Sequence, residues 1–277
     1  ITVLEGIEDY VGENVRVLYS EGCHLYRDRT SNLAMEHDRD SEVRAVCEAS
    51  DVVIAVVGLD ATLEGEEGDT GNEYGSGDKP NLNLPGLQPD IIRIAKESGK
   101  PVIVVLLAGS AMALSWEDEH VDAILDGFYP GAQGGAAIAE ILFGGANPEG
   151  KLPITFYQTT EELPEFTDYA MKGRTYRYME NEALYPFGYG LSYTTYAYGN
   201  LECVKPFDAQ DGITLQVTVT NTGDREGTET LQVYVKAKRE GTPNPQLKYV
   251  KKITLKPGES VTEEIHLSPE AFMLYDE

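Results

Sequence analysis

The sequence predicts an α/β fold, a mostly parallel-sheet α/β sandwich, followed by an incomplete all-β sandwich. Three observations carry this. Two bare apolar runs, VVIAVV at 52–57 and VIVVLL at 102–107, are separated by an amphipathic helical stretch; such runs read as strands buried on both faces of a parallel sheet. From about Tyr196 the pattern changes to period two, as in ITLQVTVT at 213–220, with Gly, Pro and Asn turns between short segments. Between them, residues 147–195 are proline-punctuated and then dense in Tyr and Gly. The division that follows is 1–195, a sandwich with its linker, and 196–277, the all-β part.

The elements follow in order. LEGIEDYV at 4–11 has helical apolar spacing and stops at Gly12. VRVLY at 15–19 alternates as a strand. After a polar stretch containing His24 and His37, Asp40 or Ser41 caps a helix running to Ser50, with Val43, Val46 and Cys47 on one face. The Val52 strand leads into an acidic loop. A helix over GLQPDIIRIAKESG turns Ile91, Ile92 and Ile94 inward and ends at Gly99. The Val102 strand, a helical turn at 111–116, a short strand at 123–128 and a helix after the PGAQGG turn complete the first part. Strand–helix–strand order implies right-handed parallel crossovers. Strands at 213–220, 229–236, 249–255 and 261–267 form the second. The sequence stops at Asp276 and Glu277 before such a sandwich would close, so one or two further strands are expected beyond it.

Composition narrows the function. The 277 residues carry 22 Lys and Arg against 47 Asp and Glu, a formal charge of -25. That balance argues against nucleic acid and anionic membranes as partners, and no apolar run reaches the ~18 residues of a membrane span. The 3 cysteines, Cys23, Cys47 and Cys203, show no paired spacing and read as buried free thiols. The chain opens ITVLEG, without an initiating Met or a signal peptide, and reads as a piece of a longer protein; compartment stays unassigned.

Chemistry concentrates in one stretch, Gly58 with LDATLEGEEGDTGNEYGSGDKPNLNLP at 59–85. It leaves a strand of a parallel sheet at the end where ligands bind in open α/β folds, and it carries Asp60, Glu64, Glu66, Glu67, Asp69, Glu73 and Asp78. Three readings fit these residue types. One carboxyl could be a general acid/base, its proton retained because like charges crowd it. The loop could bind calcium, although EF-hand spacing is absent. Or it could be only a solvated surface loop. Elsewhere, PGAQGG lacks the Lys-Ser/Thr of a phosphate loop and reads as close helix–strand packing. The four histidines, His24, His37, His120 and His266, have no ligand spacing, so no metal is assigned. Ser110 in AGSAM is not a hydrolase elbow. The aromatic run Tyr176, Tyr178, Tyr185, Phe187, Tyr189, Tyr193 and Tyr196 could stack sugars but reads better as a seam between the two parts.

Several stretches together resemble glycoside hydrolase family 3: GLDATLEGEE, GDKPNLNLPGLQ, YPGAQGGAAIAEILFGGANPEGKLPITFY, KGRTYRY and LYPFGYGLSYTTY, in the order found downstream of that family's catalytic barrel. VTVTNTGDREGTETLQVYV and LKPGESVTEEIHLSPEAFMLYDE resemble its fibronectin type III-like domain. The resemblance implies a retaining, exo-acting β-glycosidase that hydrolyses terminal non-reducing β-linked glucose or xylose without a cofactor. It implies an aspartate nucleophile on a barrel absent from this sequence and a glutamate acid/base on the acidic loop. Loop register makes Glu64 the first choice and Glu66 the rival. The expected partners are an oligosaccharide or aryl β-glycoside substrate and the N-terminal barrel of the same protein. Alone, the chain is expected to show no turnover. Lys79 stands where relatives carry the Arg of GDR, and Lys lacks the bidentate fork. A different class remains open: an accessory module that binds carbohydrate or calcium.

Overall fold

A computed structural model describes residues 1–29, 31–65, 79–238 and 242–274. Two compact units emerge: 1–143 with 156–163, and 144–155 with 164–277.

The first unit is built on a parallel sheet of β1 (Val53–Gly58), β2 (Val102–Leu107) and β3 (Ala123–Asp126), in the order β1–β2–β3. The two apolar runs are therefore adjacent strands, in register from Val53 opposite Val102 to Gly58 opposite Leu107. The central strand is apolar on both sides because both are covered: Val102, Val104, Val105 and Leu106 have no exposure. On one face, α1 (Val3–Val11) and α5 (Gly134–Leu142) pack Val3, Ile7, Ile138 and Ala139 against Val105. On the other, α2 (Asp40–Glu48) and α3 (Gln88–Glu97) pack Val43, Cys47, Ile94 and Ala95 against Val102. Helix α4 (Ser115–His120) precedes β3.

Helix α1 begins with a capping box: the Thr2 hydroxyl accepts from the Glu5 N–H while the Glu5 carboxylate accepts from the Thr2 N–H. It ends at Gly12, as the sequence implied. Other expectations need correction. Residues 15–19 form no strand; they run as irregular chain, with Val17 packed against the α1–α5 core. Helix α2 has Arg39 at its cap position, without a capping side chain, rather than Asp40 or Ser41. In PGAQGG, Gly135 serves a close contact with the start of α1 rather than a helix–strand one, since a Cβ there would lie 1.9 Å from the Thr2 carbonyl oxygen, while Gly134 packs on Pro130 of its own turn.

The second unit holds two antiparallel sheets. One contains β4 (Tyr196–Tyr198), β5 (Glu202–Asp208), β6 (Gly212–Asn221) and β9 (Ser260–Leu267), with β4, β5 and β9 all paired to β6; the other pairs β7 (Gly227–Val235) with β8 (Gln246–Leu255). Val217 and Val219, Leu231, Ile253 and Leu255, and Ile265 and Leu267 form its core. Asn221, fully buried, accepts from Thr194 Oγ1 at 2.8 Å and donates to the carbonyls of Arg225 at 2.7 Å and Leu255 at 2.9 Å. Cys203 is exposed, because every residue of β5 is; of the three thiols only Cys47 is fully buried. The aromatic run packs within this unit: Tyr176, on α6 (Thr175–Tyr178), stacks on Phe187 at 4.2 Å and meets Tyr234 edge-on at 6.5 Å. Among the described residues no helix is long and apolar enough to cross a membrane.

Candidate active site

Three successive strands of the parallel sheet end side by side, and the chain leaving each contributes to one cluster. At the end of β1, Gly58 adopts φ +138°, and a Cβ there would lie 2.0 Å from the Leu107 carbonyl oxygen. Only glycine lets β1 run this close to β2 before turning away. Its backbone is captured by the buried Gln88 amide at the start of α3. Gln88 Oε1 accepts from the Gly58 N–H at 2.7 Å, and Nε2 donates to the Gly58 carbonyl at 2.9 Å and to the Leu25 carbonyl at 2.7 Å.

From Gly58 the chain makes one tight turn. The Asp60 side chain accepts from the Thr62 N–H at 2.8 Å, and the Asp60 carbonyl accepts from the N–H groups of Leu63 and Glu64 at 3.0 and 2.9 Å. This local capping, which Asp favours, buries Leu59 and Leu63 and sends Glu64 toward the exits of β2 and β3. The returning limb is fixed by Leu84 and Leu87, both buried, and by the Ala113 N–H donating to the Leu82 carbonyl at 2.7 Å.

Glu64 is gripped from both neighbouring strand ends. Its Oε2 accepts from the Gly109 N–H at 2.9 Å and from the Tyr129 hydroxyl; its Oε1 accepts from the Ser110 hydroxyl. Gly109 must be small, since a Cβ would lie 2.6 Å from the Tyr129 ring and 3.1 Å from Glu64 Oε2. Tyr129 is delivered by a left-handed Phe128 (φ +48°), whose N–H donates to Asp126 Oδ1 at 3.0 Å. Burial by itself would push the Glu64 carboxyl up. The hydroxyls of Ser110 and Tyr129, the Gly109 N–H and the Lys79 charge outweigh it and hold the group below the ordinary glutamate value. Burial and the Glu64 carboxylate together push the Tyr129 phenol up, so it stays a donor.

Two more titratable groups border the cluster. Lys79 Nζ donates to the Ala111 carbonyl at 2.7 Å and to Met112 Sδ at 3.2 Å. Burial pushes its amine down to about 8, against the opposing pull of Glu64. Asp126, at the last position of β3, is pushed up to about 6 by burial, and among the described residues its buried Oδ2 has no hydrogen-bond partner.

Of the sequence candidates, Glu64 lies in this cluster. Glu66, with Glu67, Asp69, Glu73 and Asp78, falls outside the described residues. Among the described residues no group of three or more His, Cys, Asp or Glu is arranged to hold a metal ion. Sequence reasoning did not single out Gly109 or Tyr129 and set Ser110 aside as a nucleophile; the signal available was topological, that the carboxyl ends of parallel strands converge.

The pattern of the glycosyl hydrolase family 3 C-terminal domain matches residues 1–193. The chain belongs to glycoside hydrolase family 3. The fibronectin type III-like pattern matches 229–277. Similar curated proteins include the xylan 1,4-β-xylosidase of Xylanibacter ruminicola, 42% identical over 228 residues, spanning 81% of this chain and 26% of the relative. The periplasmic β-glucosidase of Salmonella typhimurium is 37% identical, spanning all of this chain and 39% of the relative. Among solved structures, a β-glucosidase from Erythrobacter marinus superposes with a TM-score of 0.79 at 32% identity, covering 100% of this chain and 39% of that one. A Listeria innocua β-glucosidase gives 0.78 at 30% identity, covering 100% and 38%. The family 3 chain thus spans between 26% and 39% of the length of these relatives and fits their C-terminal part.

Proposed function

We propose that this chain supplies the acid/base half of a retaining β-glycosidase acting on terminal non-reducing β-linked glucose or xylose, with the nucleophile on another part of the same protein. The observation that carries this is the seating of the acidic loop: its stem is pinned at the carboxyl edge of the parallel sheet, with one carboxylate fixed there by neighbouring strand ends. The relatives' names supply the sugars, and their length supplies the second half of the site.

Retaining hydrolysis uses two carboxyl groups about 5–5.5 Å apart. One attacks C1 while the other gives its proton to the glycosidic oxygen as the C1–O bond breaks; the second then takes a proton from the water that attacks C1 and releases the sugar. A donor must therefore hold its proton in the free enzyme. Glu64 is badly suited to that, since three donors favour its ionised form. This supports Glu66 as the proton donor, with Glu64 as its fixed, charged neighbour.

The test is alanine substitution in the full-length enzyme, assayed on aryl β-glucosides and β-xylosides. Glu66→Ala should abolish turnover of poor leaving groups, and azide should restore turnover of good ones as a glycosyl azide. Azide rescue of Glu64→Ala with Glu66→Ala unaffected would reverse the assignment. Rescue of neither would remove the donor from this loop.

A further inference from the structure

Glu64 rides on the chain leaving β1, whereas its three donors ride on the chains leaving β2 and β3. One carboxylate therefore ties together the chain leaving all three strands. Beneath it, Leu63 is completely buried, so the turn carrying Glu64 cannot slide along the sheet without exposing an apolar side chain. We propose that Tyr129 and Ser110, acting through Glu64, are positioning residues for this half of the glycosidase site. The inference rests on the reading that the acidic loop carries the proton donor, and it adds which residues aim it.

Neither residue need touch the sugar. Tyr129 presents its ring edge to Gly109 and its hydroxyl to Glu64 Oε2; Ser110 gives its hydroxyl to Oε1. The two hydroxyls address different oxygens, so together they fix both the place and the rotation of the carboxylate plane. Losing either frees one rotation of the stem, and a proton donor displaced by about 1 Å costs on the order of 100-fold where proton transfer limits the rate.

The discriminating measurement is kcat/KM on two aryl glycosides in the full-length enzyme, one with a poor leaving group that needs protonation and one with a dinitrophenolate that does not. Tyr129→Phe should lower the first by about 10- to 100-fold and the second by less than about 3-fold. The inhibition constant of a neutral monosaccharide should stay unchanged. Ser110→Ala should follow the same split, and Ser110→Thr, which keeps a hydroxyl, should restore it. Should Tyr129→Phe fail to fold, the Ser110 pair still reads the same quantity. Equal losses on both substrates, or no loss on either, would overturn the proposal. Azide rescue of Glu66→Ala alongside an unaltered split in Tyr129→Phe would sink the positioning role alone; loss of rescue at both glutamates would sink the underlying reading as well.

Discussion

Replacing Gln88 by Met tests whether the stem of the acidic loop is held by one amide. Met is close in volume to Gln and has no loss of helix propensity at the start of α3. The structural loss is therefore three hydrogen bonds, to the Gly58 N–H, the Gly58 carbonyl and the Leu25 carbonyl, from a side chain only 3% exposed. An orphaned buried N–H costs about 1–3 kcal/mol and each of the two carbonyl bonds contributes about 0.5–1.5 kcal/mol, which totals about 4 kcal/mol. For a unit of about 150 residues, that lowers Tm by about 8–16 °C. Trp116 is the sole tryptophan and lies in the first unit, stacked on His120 at 4.3 Å. Its fluorescence during guanidinium unfolding thus reports on this unit. Gln88→Glu should be worse at neutral pH than at pH 4: the introduced carboxyl faces two carbonyl oxygens, favours its protonated form when folded, and so loses stability as pH rises. A Gln88→Met midpoint within about 0.5 kcal/mol of wild type would refute the reasoning, because it would mean Gly58 is held by strand pairing alone.

Leu63→Ala should destabilise the same unit by about 2–5 kcal/mol, read by Trp116 fluorescence, since the side chain has no exposure. Asp126→Asn should stabilise the unit at pH 8. The carboxyl is pushed up to about 6 when folded, so its burden grows as pH rises from about 4 to 6 and persists above. The full shift corresponds to about 3 kcal/mol, and screening at a partly exposed site reduces the expected gain to about 1 kcal/mol. Glu64→Gln should flatten the acid limb of stability. The wild-type contribution is complete above the ordinary glutamate value of about 4.3 and is lost as pH falls through the lower folded value; the variant should lack that loss when midpoints are compared between pH 6 and pH 3.

Sequence patterns were most legible where burial alone fixes an element. VIVVLL is β2 to the residue because the central strand of a covered sheet must be apolar on both faces. β5 was invisible for the opposite reason: ECVKPFD is an edge strand with every residue exposed and a proline inside, so it carries no alternation. VRVLY alternates well and still forms no strand, because a period-two pattern needs a ladder partner to become one. The helix expected around Ala111 starts only at Ser115, since Met112 and Leu114 are fully buried in the preceding irregular chain. In the site, the acidic loop could be located from its strand, but its grip could not. Gly109 and Tyr129 lie 45 and 65 residues from Glu64, and only tertiary structure brings them to one carboxylate.

The grip on Glu64 also sets how the proposed donor should titrate. A carboxyl keeps its proton at neutral pH through burial or through a nearby negative charge. On the proposed assignment, Glu64, held below the ordinary glutamate value and so ionised at neutral pH, supplies that charge, so its two effects separate by substitution. Tyr129→Phe leaves Glu64 charged and only loosens it, so the plateau of kcat/KM should fall while its alkaline limb stays in place. Glu64→Gln removes the charge and leaves a group of the same shape. The donor then surrenders its proton more readily, and the alkaline limb should move to lower pH in addition to any fall in the plateau. An alkaline limb that stays in place in both variants would mean that the carboxylate acts through placement alone, and disappearance of the alkaline limb in Glu64→Gln would mean that Glu64 itself is the group that gives up the proton.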